Sequence, residues 1–263
     1  AAAPDVEELV TVDANEFMKA VKDLIKIVST DPSTQEHQIS CMHFNIKGEK
    51  VKLTATDSYA LGSISIDSSA INLEDGESKD VLIRHTEVNT LIDNFSPGET
   101  LTIVSSDDMF GYISENGTLS LVGVINMPPL DTSQIEAITK DDNTVVLDKN
   151  ELKTAIETVA KLSPHDETVN IELNKDRNEV RVSNRYGDYI DVDSIERKFD
   201  SPGTASFATS ILLKSINPAN NGPLRLEFGD LSSSSPGAAR VVSLLADGSD
   251  DKEKSLLAII MEK

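Results

Sequence analysis

The feature that most constrains this chain is an internal repeat. Residues 12–17, VDANEF, reappear at 147–152 as LDKNEL, and small or aliphatic residues follow both copies at helical spacing. Residues 50–59, KVKLTATDSY, likewise correspond to EVRVSNRYGD at 179–188. The second copy begins near the middle of the 263 residues, so the period is far longer than the roughly 20–50 residues of a solenoid. The sequence therefore predicts two copies of one domain.

The composition fits two domains with aliphatic cores. Hydrophobic residues make up 38% of the chain and aromatic residues only 4%. Each half is long enough to bury a core of its own. The single cysteine, Cys41, excludes an intramolecular disulfide and a cysteine-based metal cluster, and we expect it to be a small buried apolar residue.

The net charge limits the possible partners. It is −21, whereas binding to duplex DNA depends on lysines and arginines that displace counterions. A partner meets only one face of a protein, however, so an acidic exterior can carry a local basic patch. The alternative is an acidic protein, or one adapted to high salt, that does not contact nucleic acid.

Neither export nor membrane insertion is predicted. The first residues, AAAPD, lack the basic and apolar regions of a signal peptide, and no apolar run approaches the roughly 18 residues of a membrane span. We therefore expect an intracellular, cytoplasmic protein that has no membrane partner.

The order of predicted elements indicates an α+β fold. A strand, a helix and three strands occur twice in each half, which favours a mainly antiparallel sheet with two helices per domain on one face. We predict a first domain at residues 1–126, a proline-containing connector at 127–143 and a second domain at 144–263. Asp13 is the expected N-cap of a helix that runs to about Ser29.

The predicted helices carry lysines on the side opposite their apolar residues. In the first helix, Lys19, Lys22 and Lys26 lie within about 60° of one another and away from Phe17 and Val21. An ordinary solvated helix face is the alternative interpretation. Further basic residues accompany the other three helices: Arg84, Lys149, Lys153, Lys161 and Lys214. The pattern predicts that one class of element, the helices, carries much of the basic charge.

The sequence resembles the DNA sliding clamps. Residues 53–61, LTATDSYAL, are similar to the Leu-x-Ala-Thr-Asp-x-x-x-Leu strand and turn of bacterial beta clamps. Residues 17–21, 127–129 and 256–261 are also similar to clamp sequences, and the order of elements matches over nearly the whole chain. The second copy departs from the motif, since it has Ser-Asn-Arg-Tyr at residues 183–186.

The number of domains distinguishes two types of clamp. Bacterial beta clamps carry three such domains per chain, whereas this chain has room for two, as in the trimeric clamps of archaea, eukaryotes and some phages. The resemblance implies a two-domain, trimeric clamp with bacterial-type local sequence, for which a phage source and the host cytoplasm are one interpretation. Two domains of a longer clamp are the alternative.

The resemblance also implies a function and partners. Three copies would close head to tail into a homotrimeric ring, with the antiparallel sheets outside and the helices on the inner face. The ring would encircle double-stranded DNA without sequence preference, and the eight basic residues of the helices named above would be its DNA contacts. It would tether the replicative DNA polymerase for processive synthesis, after a clamp loader ATPase has placed it there. No cofactor, metal or catalytic residue is expected.

A partner-peptide pocket is implied beside the connector and the C-terminal segment. In the family, short peptides of the polymerase, the loader and repair enzymes dock in an apolar pocket at this place. The matching residues of this chain are Met127, Pro128, Leu130, Ile135, Ile259 and Met261. Plain strand core is the alternative interpretation of Ile259 and Met261.

Other function classes find less support in the sequence. Asp188, Asp191 and Asp193 could bind a divalent cation, but a solvated strand face is the favoured interpretation. The four histidines lack metal-ligand spacing, and the sequence has no Gly-x-Ser-x-Gly elbow and no glycine-rich phosphate loop. We therefore predict that the chain is not an enzyme. A duplicated acidic scaffold that binds only proteins is a further alternative.

Overall fold

The structure is a computed structural model that describes residues 5–133, 143–174, 176–199, 202–219, 221–228, 240–245 and 255–261, the last two ranges as backbone only. The chain divides into two compact units. The first consists of Ala1–Asp57 and Ser63–Asp131, and the second of Ser58–Gly62 and Thr132–Lys263. The division after Asp131 falls within the residues that we predict to be the connector, and the domain boundaries themselves stay a prediction.

The first copy of the fold contains eight strands and two helices in its described residues. They are β1 (Glu7–Asp13), α1 (Ala14–Leu24), β2 (Cys41–Lys47), β3 (Lys50–Thr56), β4 (Ala60–Ala70), β5 (Ser78–Arg84), α2 (His85–Asp93), β6 (Thr100–Ser105), β7 (Met109–Ser114) and β8 (Leu119–Gly123). Two short 3-10 turns, Pro32–Thr34 and Gln38–Ser40, connect α1 to β2.

The second copy repeats this order. Its elements are β9 (Asn143–Asp148), α3 (Lys149–Leu162), β10 (Thr168–Leu173), β11 (Glu179–Ser183), β12 (Tyr189–Phe199), β13 (Gly203–Ala208), α4 (Thr209–Ile216), β14 (Pro223–Phe228), β15 (Arg240–Leu245) and β16 (Ser255–Met261). The predicted strand, helix and three strands therefore occur twice in each copy.

Strand pairing confirms the duplication. The first sheet has the order β5-β2-β3-β4-β1-β6-β7-β8, and the second has the corresponding order β13-β10-β11-β12-β9-β14-β15-β16. Neighbouring strands within each copy pair antiparallel wherever the register is defined. The predicted α+β fold of two duplicated antiparallel domains is correct.

Each sheet wraps around its own two helices. Helix α1 contacts β1, β3, β6 and α2, while α2 contacts β5 and β8, which are the two ends of the sheet. The backbone amide of Ile125, just beyond β8, donates to the carbonyl of Leu82 on β5 at 2.9 Å and leaves the edge of β8 itself unpaired among the described strands. Helix α4 contacts β13 and β16 in the same way in the second unit. Both helices of a copy therefore lie on one face of its sheet, as predicted.

Three phenylalanines join the layers of the first unit. The rings of Phe17 on α1 and Phe44 on β2 lie 6.1 Å apart, and Phe44 lies 4.7 Å from Phe110 on β7. All three side chains are fully buried. The hydroxyl of the buried Tyr112 donates to the carbonyl of Leu91 at 2.9 Å, so this large ring also has its polar group satisfied. The helices are thus fixed on the sheet by aromatic as well as aliphatic contacts.

Aspartates cap the two long helices at equivalent places. An oxygen of Asp13 accepts from the amide of Glu16 at 2.8 Å, and Asp148 accepts from the amides of Asn150 and Glu151. These bonds satisfy amide groups that a helix leaves unpaired at its N-terminus. The predicted cap at Asp13 is confirmed.

Three boundaries that the sequence predicts are wrong: a helix end near Ser29, a strand start at Gln38 and a strand end at Asp193. Helix α1 ends at Leu24 rather than near Ser29, because the chain tightens into turns in which the amide of Ile27 donates to the carbonyl of Leu24. Strand β2 begins at Cys41, since Gln38–Ser40 forms a 3-10 turn. Strand β12 continues past Asp193 because its second half, beyond an irregularity at Ser194, pairs with β9. The predicted loops at 232–237 and 247–254 lie outside the described residues.

Candidate nucleic-acid interface on the helices

Helix α1 presents two of the predicted lysines away from the core. Lys19 and Lys22 are exposed, whereas Phe17, Val21 and Leu24 are buried. Since helical residues advance by about 100° each, this arrangement follows from the spacing in the sequence. The predicted faces of α1 are present, and the role of the lysines stays a proposal.

The contacts of these two lysines are weak enough to exchange. The ammonium of Lys19 lies 2.6 Å from the carboxylate of Asp23, with the lysine side chain 58% exposed. The ammonium of Lys22 lies 5.6 Å from the centroid of the Phe95 ring. An exposed ion pair contributes roughly 0–1 kcal/mol, so little free energy opposes the replacement of Asp23 by a phosphate. Asp23 also lowers the positive potential of this face when no anion is bound.

Lys26 is exposed but does not lie on α1. It follows the end of the helix at Leu24, within the turn that leads to the buried Ile27 and Val28. The expectation that three lysines lie along one side of the helix is therefore wrong for Lys26. The basic surface of this part of the first unit consists of two helical lysines and one from the adjoining turn.

The lysines on the helices of the second unit differ in how far their side chains are exposed. Lys161 is exposed in the last turn of α3, and the half-exposed Lys153 lies 3.9 Å from Glu157, one turn further along the helix. Lys214 on α4 is partly exposed. These three side chains remain accessible to an anion, with Glu157 as a weak competitor.

Lys149 is buried, which corrects the expectation that it belongs to the basic surface of the helices. Its side chain is 7% exposed, and its ammonium donates to the carbonyls of Asn217, at 3.1 Å, and Ala219. Both carbonyls follow the last turn of α4, where cations are favoured by the helix dipole. Lys149 therefore joins α3 to the end of α4. The sequence carried a signal for this, since the repeat aligns Lys149 with Ala14, which is fully buried.

Replacing Lys149 with methionine is expected to destabilise the protein by about 2 kcal/mol, because two buried carbonyls would lose charged donors while the apolar volume is kept. Urea unfolding measures this as a lower midpoint. Lys153→Met is the matched control on the same helix and should shift stability by less than about 0.5 kcal/mol. Equal midpoints for the two variants would contradict a capping role for Lys149.

Arg84 lies where β5 ends and α2 begins. Its side chain is 41% exposed, and its guanidinium lies 3.2 Å from the carboxylate of Glu36. The carboxylate neutralises this arginine on the folded protein. Because the pair is exposed, Arg84 can still exchange Glu36 for a phosphate at small cost.

The described part of the predicted pocket lies at the end of the first unit. The side-chain amide of Gln38 donates to the carbonyl of Pro128 at 3.3 Å, Met127 is partly exposed and Leu130 is 40% exposed. Ile135 lies outside the described residues. Ile259 and Met261 belong to β16, whose side chains the structure does not describe. The pocket as a whole stays a prediction.

Two of the three aspartates considered as cation ligands, Asp188 and Asp191, have side-chain partners within the second unit. Two nitrogens of Arg181 donate to the carboxylate of Asp191 at 2.8 and 3.0 Å, and these bonds lower the pKa of Asp191. Asp188 accepts from the amide of Asn184 at 3.1 Å. Across the described ranges, no cluster of three or more histidine, cysteine, aspartate or glutamate side chains could hold a metal ion.

An arginine-rich hairpin was missed from the sequence. Four of the seven arginines occur at 177–197, in and around β11 and β12. The guanidinium of Arg181 stacks 3.6 Å from the centroid of the Tyr189 ring, and Tyr186 and Tyr189 are more than half exposed. Arginine and tyrosine are enriched in protein interfaces. Their concentration in one short stretch is the signal that could have identified this surface.

The second unit also contains an open groove. It has a volume of about 450 Å³ and lies between the first half of α3 and residues 190–193 of β12. Residues 189–193 pair with β11 on one side, while β9 pairs only with the second half of β12. In the described residues, the other edge of 189–193 has no strand partner and borders this groove.

Several solved structures similar to this chain are sliding clamps. The DNA polymerase sliding clamp from Bacillus subtilis matches with a TM-score of 0.81 and 14% sequence identity, over 100% of this chain and 67% of that chain. The match rests on the fold rather than on sequence identity, and it extends over the whole of this chain. The chain has the sliding-clamp fold.

Further sliding clamps match in the same way. The beta chain of DNA polymerase III from Streptococcus pneumoniae has a TM-score of 0.79 at 18% identity and is covered over 67% of its length. The beta subunit from Streptococcus pyogenes has a TM-score of 0.79 at 17% identity and is covered over 68%. Both matches include 100% of this chain. No protein-family model and no curated protein matches the sequence.

Among the described residues, none of the helices combines the length and the apolar character that crossing a membrane requires.

Proposed function

We propose that this protein is a DNA sliding clamp that encircles duplex DNA and tethers a DNA polymerase for processive synthesis. The observation that carries the proposal is the likeness of the whole chain to bacterial sliding clamps at a TM-score of 0.81. The absence of catalytic chemistry in the sequence agrees with a processivity factor. The polymerase and the clamp loader ATPase are partners by analogy with these clamps.

The proposed DNA contacts come from the exposed lysines of the helices and the adjoining turn. Lys19, Lys22 and Lys26 serve the first unit, and Lys153, Lys161 and Lys214 the second. Flexible ammonium groups bind phosphates without reading the sequence, which suits a ring that must slide. Arg84 is a weaker candidate because of its pair with Glu36. Lys149 is not proposed as a DNA contact, because its ammonium is buried and donates to backbone carbonyls.

Ring closure is proposed to join the open edges of two strands. The edge of β12 at residues 189–193 is open, and β8 pairs only with β7 among the described strands. Tyr189 is 52% exposed on the first edge, and Leu119 is 38% exposed on the second. Antiparallel pairing of β12 with β8 of the next copy would cover both side chains. Since the two edges differ, the contact is head to tail and three copies give six domains.

Polymerase and loader peptides are proposed to dock near the connector. Met127, Pro128 and Leu130 are accessible there, and Leu130 offers an exposed apolar side chain. By resemblance, Ile135, Ile259 and Met261 belong to the same region. An apolar pocket with few polar groups is the usual form of such a peptide site.

A second candidate is a two-domain portion of a longer clamp. It is favoured by the coverage, because this chain spans only 67% of the Bacillus subtilis clamp. A ring would then need further domains of the same type and fewer copies. The solution mass of this 263-residue chain distinguishes the two candidates.

Mass and topology together test the proposal. We expect a species near three times 28.5 kDa in light scattering after gel filtration. On nicked circular DNA, the protein should remain bound through gel filtration in high salt and be lost once a restriction enzyme linearises the circle, because a ring can then slide off. Equal retention on circular and linear DNA would reject encirclement. A monomer at every concentration would reject the self-closing trimer.

A further inference from the structure

Two exposed arginines lie at opposite ends of the open edge of β12. Arg185 belongs to the turn before Tyr189, and its side chain is 57% exposed. Arg177 precedes β11 and lies at the Asp193 end of the edge, because Glu179 of β11 pairs with Asp193; its side chain is 51% exposed. Both guanidinium groups are available to solvent at the two ends of one edge.

The turn that carries Arg185 is held in place by buried polar groups. Asn184 is buried, and its side-chain oxygen accepts from the amides of Tyr186 and Asp188 at 3.0 and 3.1 Å. The carboxylate of Asp166, whose side chain is 4% exposed, accepts from the amide of Arg185 at 3.3 Å and lies 3.7 Å from Nε of its guanidinium, an ion pair with which a carboxylate of another copy would compete. The Arg185 guanidinium donates to the hydroxyl of Tyr186 at 2.6 Å. These bonds limit the positions that the Arg185 charge can take.

Arg177, at the other end of the edge, is only partly neutralised by its neighbours. Its guanidinium lies 3.8 Å from Asp191, but Arg181 already binds that carboxylate with two hydrogen bonds. Arg177 therefore has no carboxylate of its own in the described residues. Arg197 supports it, since its guanidinium donates to the carbonyl of Arg177. This end of the edge therefore presents an exposed arginine whose nearest carboxylate is already bound by Arg181.

The open edge of β8 is acidic at both ends. Asp107 and Asp108 precede β7 and lie beside the Gly123 end of β8, because Met109 pairs with Gly123. Glu115 follows β7 and lies beside the Leu119 end. All three are exposed. No lysine or arginine occurs in the sequence between Arg84 and Lys140, so nothing along this part of the chain neutralises them.

We propose that these charges form two electrostatic latches between copies of this chain, an inference that rests on the proposed ring. Antiparallel pairing brings the Tyr189 end of β12 to the Gly123 end of β8. Arg185 then meets Asp107 and Asp108 of the next copy. At the opposite end, Arg177 meets Glu115. The occupant of the arginine-rich edge is thus a second copy of the same chain, selected by charge at both ends.

The latches favour contact between unlike edges and make it depend on salt. Contacts between two copies of the same edge would bring like charges together, which disfavours assembly through identical edges. Exposed ion pairs are individually weak and are screened over about 8–10 Å at 0.1–0.15 M salt. Assembly should therefore weaken steadily as salt increases, while the open strand edges and the exposed Tyr189 and Leu119 provide the salt-independent part.

Charge reversal tests each latch separately. Four single variants are made. Arg185→Glu and Asp108→Lys each break one latch, and Arg177→Glu and Glu115→Lys each break the other. The full chain is studied by sedimentation velocity from low to high NaCl. Each single change should raise the dissociation constant at low salt at least 10-fold and flatten its salt dependence. Lys47→Glu, an equal charge change on the exposed face of β2, is the control and should have no effect.

Matched pairs within one chain should restore assembly. Arg185→Glu with Asp108→Lys and Arg177→Glu with Glu115→Lys should recover the wild-type dissociation constant to within about 3-fold, whereas Arg185→Glu with Glu115→Lys should not. Glu115 also accepts from the amide of Glu99 and the hydroxyl of Thr100, so the melting temperature of each variant is measured and the arginine variants give an independent result.

The outcomes separate the latches from the ring. A wild-type protein that assembles with no response to these reversals overturns the latches and leaves the ring standing. Rescue only by the crossed pair overturns the strand direction. A wild-type chain that stays monomeric at every salt and protein concentration overturns the ring and the latches together.

Discussion

Processive DNA synthesis is expected to fall to the level seen without a clamp when Lys19, Lys22 and Lys26 are changed together to glutamate. The three ammonium groups are exposed on and just after α1, and their reversal makes this surface repel phosphates. If each lysine contacts one phosphate, the slope of log affinity against log salt should decrease by up to about 2.7 per protomer, at about 0.9 per contact. Polymerase product length and DNA affinity across salt concentrations measure the two effects.

The matched control changes three lysines on another face. Lys47, Lys50 and Lys52 lie on β2 and β3, where they alternate with the buried Ile46, Val51 and Leu53 and so face away from the helices. Their triple change to glutamate alters the net charge by the same amount. It should leave product length nearly unchanged. If both triple variants lose processivity equally, net charge rather than the α1 surface is responsible, and our assignment fails.

Gly111→Ala is expected to be the most damaging single substitution in the first unit. A Cβ atom at this position of β7 would lie 1.8 Å from the carbonyl oxygen of Ser120 and 2.8 Å from its carbonyl carbon. Both atoms belong to the backbone of β8, which cannot move aside without breaking its pairing with β7. We expect destabilisation of about 3 kcal/mol or more, at the upper end of what overpacking causes.

Urea unfolding followed by circular dichroism measures this effect. The control is Gly98→Ala, because a Cβ there meets only the flexible side chain of Glu115, at 3.6 Å. That variant should unfold within about 0.5 kcal/mol of the wild type. A stable Gly111→Ala protein would mean that β7 and β8 are further apart than the structure has them.

The repeat and the helical spacing were sufficient to predict the fold class and the buried faces. Phe17, Val21 and Leu24 in the first copy, and Leu152 and Ile156 in the second, are buried as their spacing predicts. Apolar periodicity carries this information because a helix on a sheet must bury one stripe. The boundaries that failed, at Leu24 and Cys41, lie where the chain changes to tight turns that leave periodicity almost unaltered.

The candidate sites were predicted less well because charge patterns do not report burial. Lys149 matches the other helical lysines in sequence, yet the end of α4, nearly 70 residues away, takes up its ammonium. Arg177, Arg181 and Asp191 are ordinary surface residues until β11 and β12 pair. Such partners are distant in sequence or lie across a turn, and no local pattern identifies them.

The sequence by itself determined the duplication, the α+β class and the helix faces, since these depend on local spacing and on the alignment of one half with the other. Only the tertiary structure decided which charged side chains are bound within the molecule and which stay exposed to partners. It separated Lys149 from Lys19, and it left the edges of β8 and β12 open with opposite charges at their ends. Burial and pairing depend on contacts between distant residues, and those contacts exist only once each sheet has wrapped around its helices.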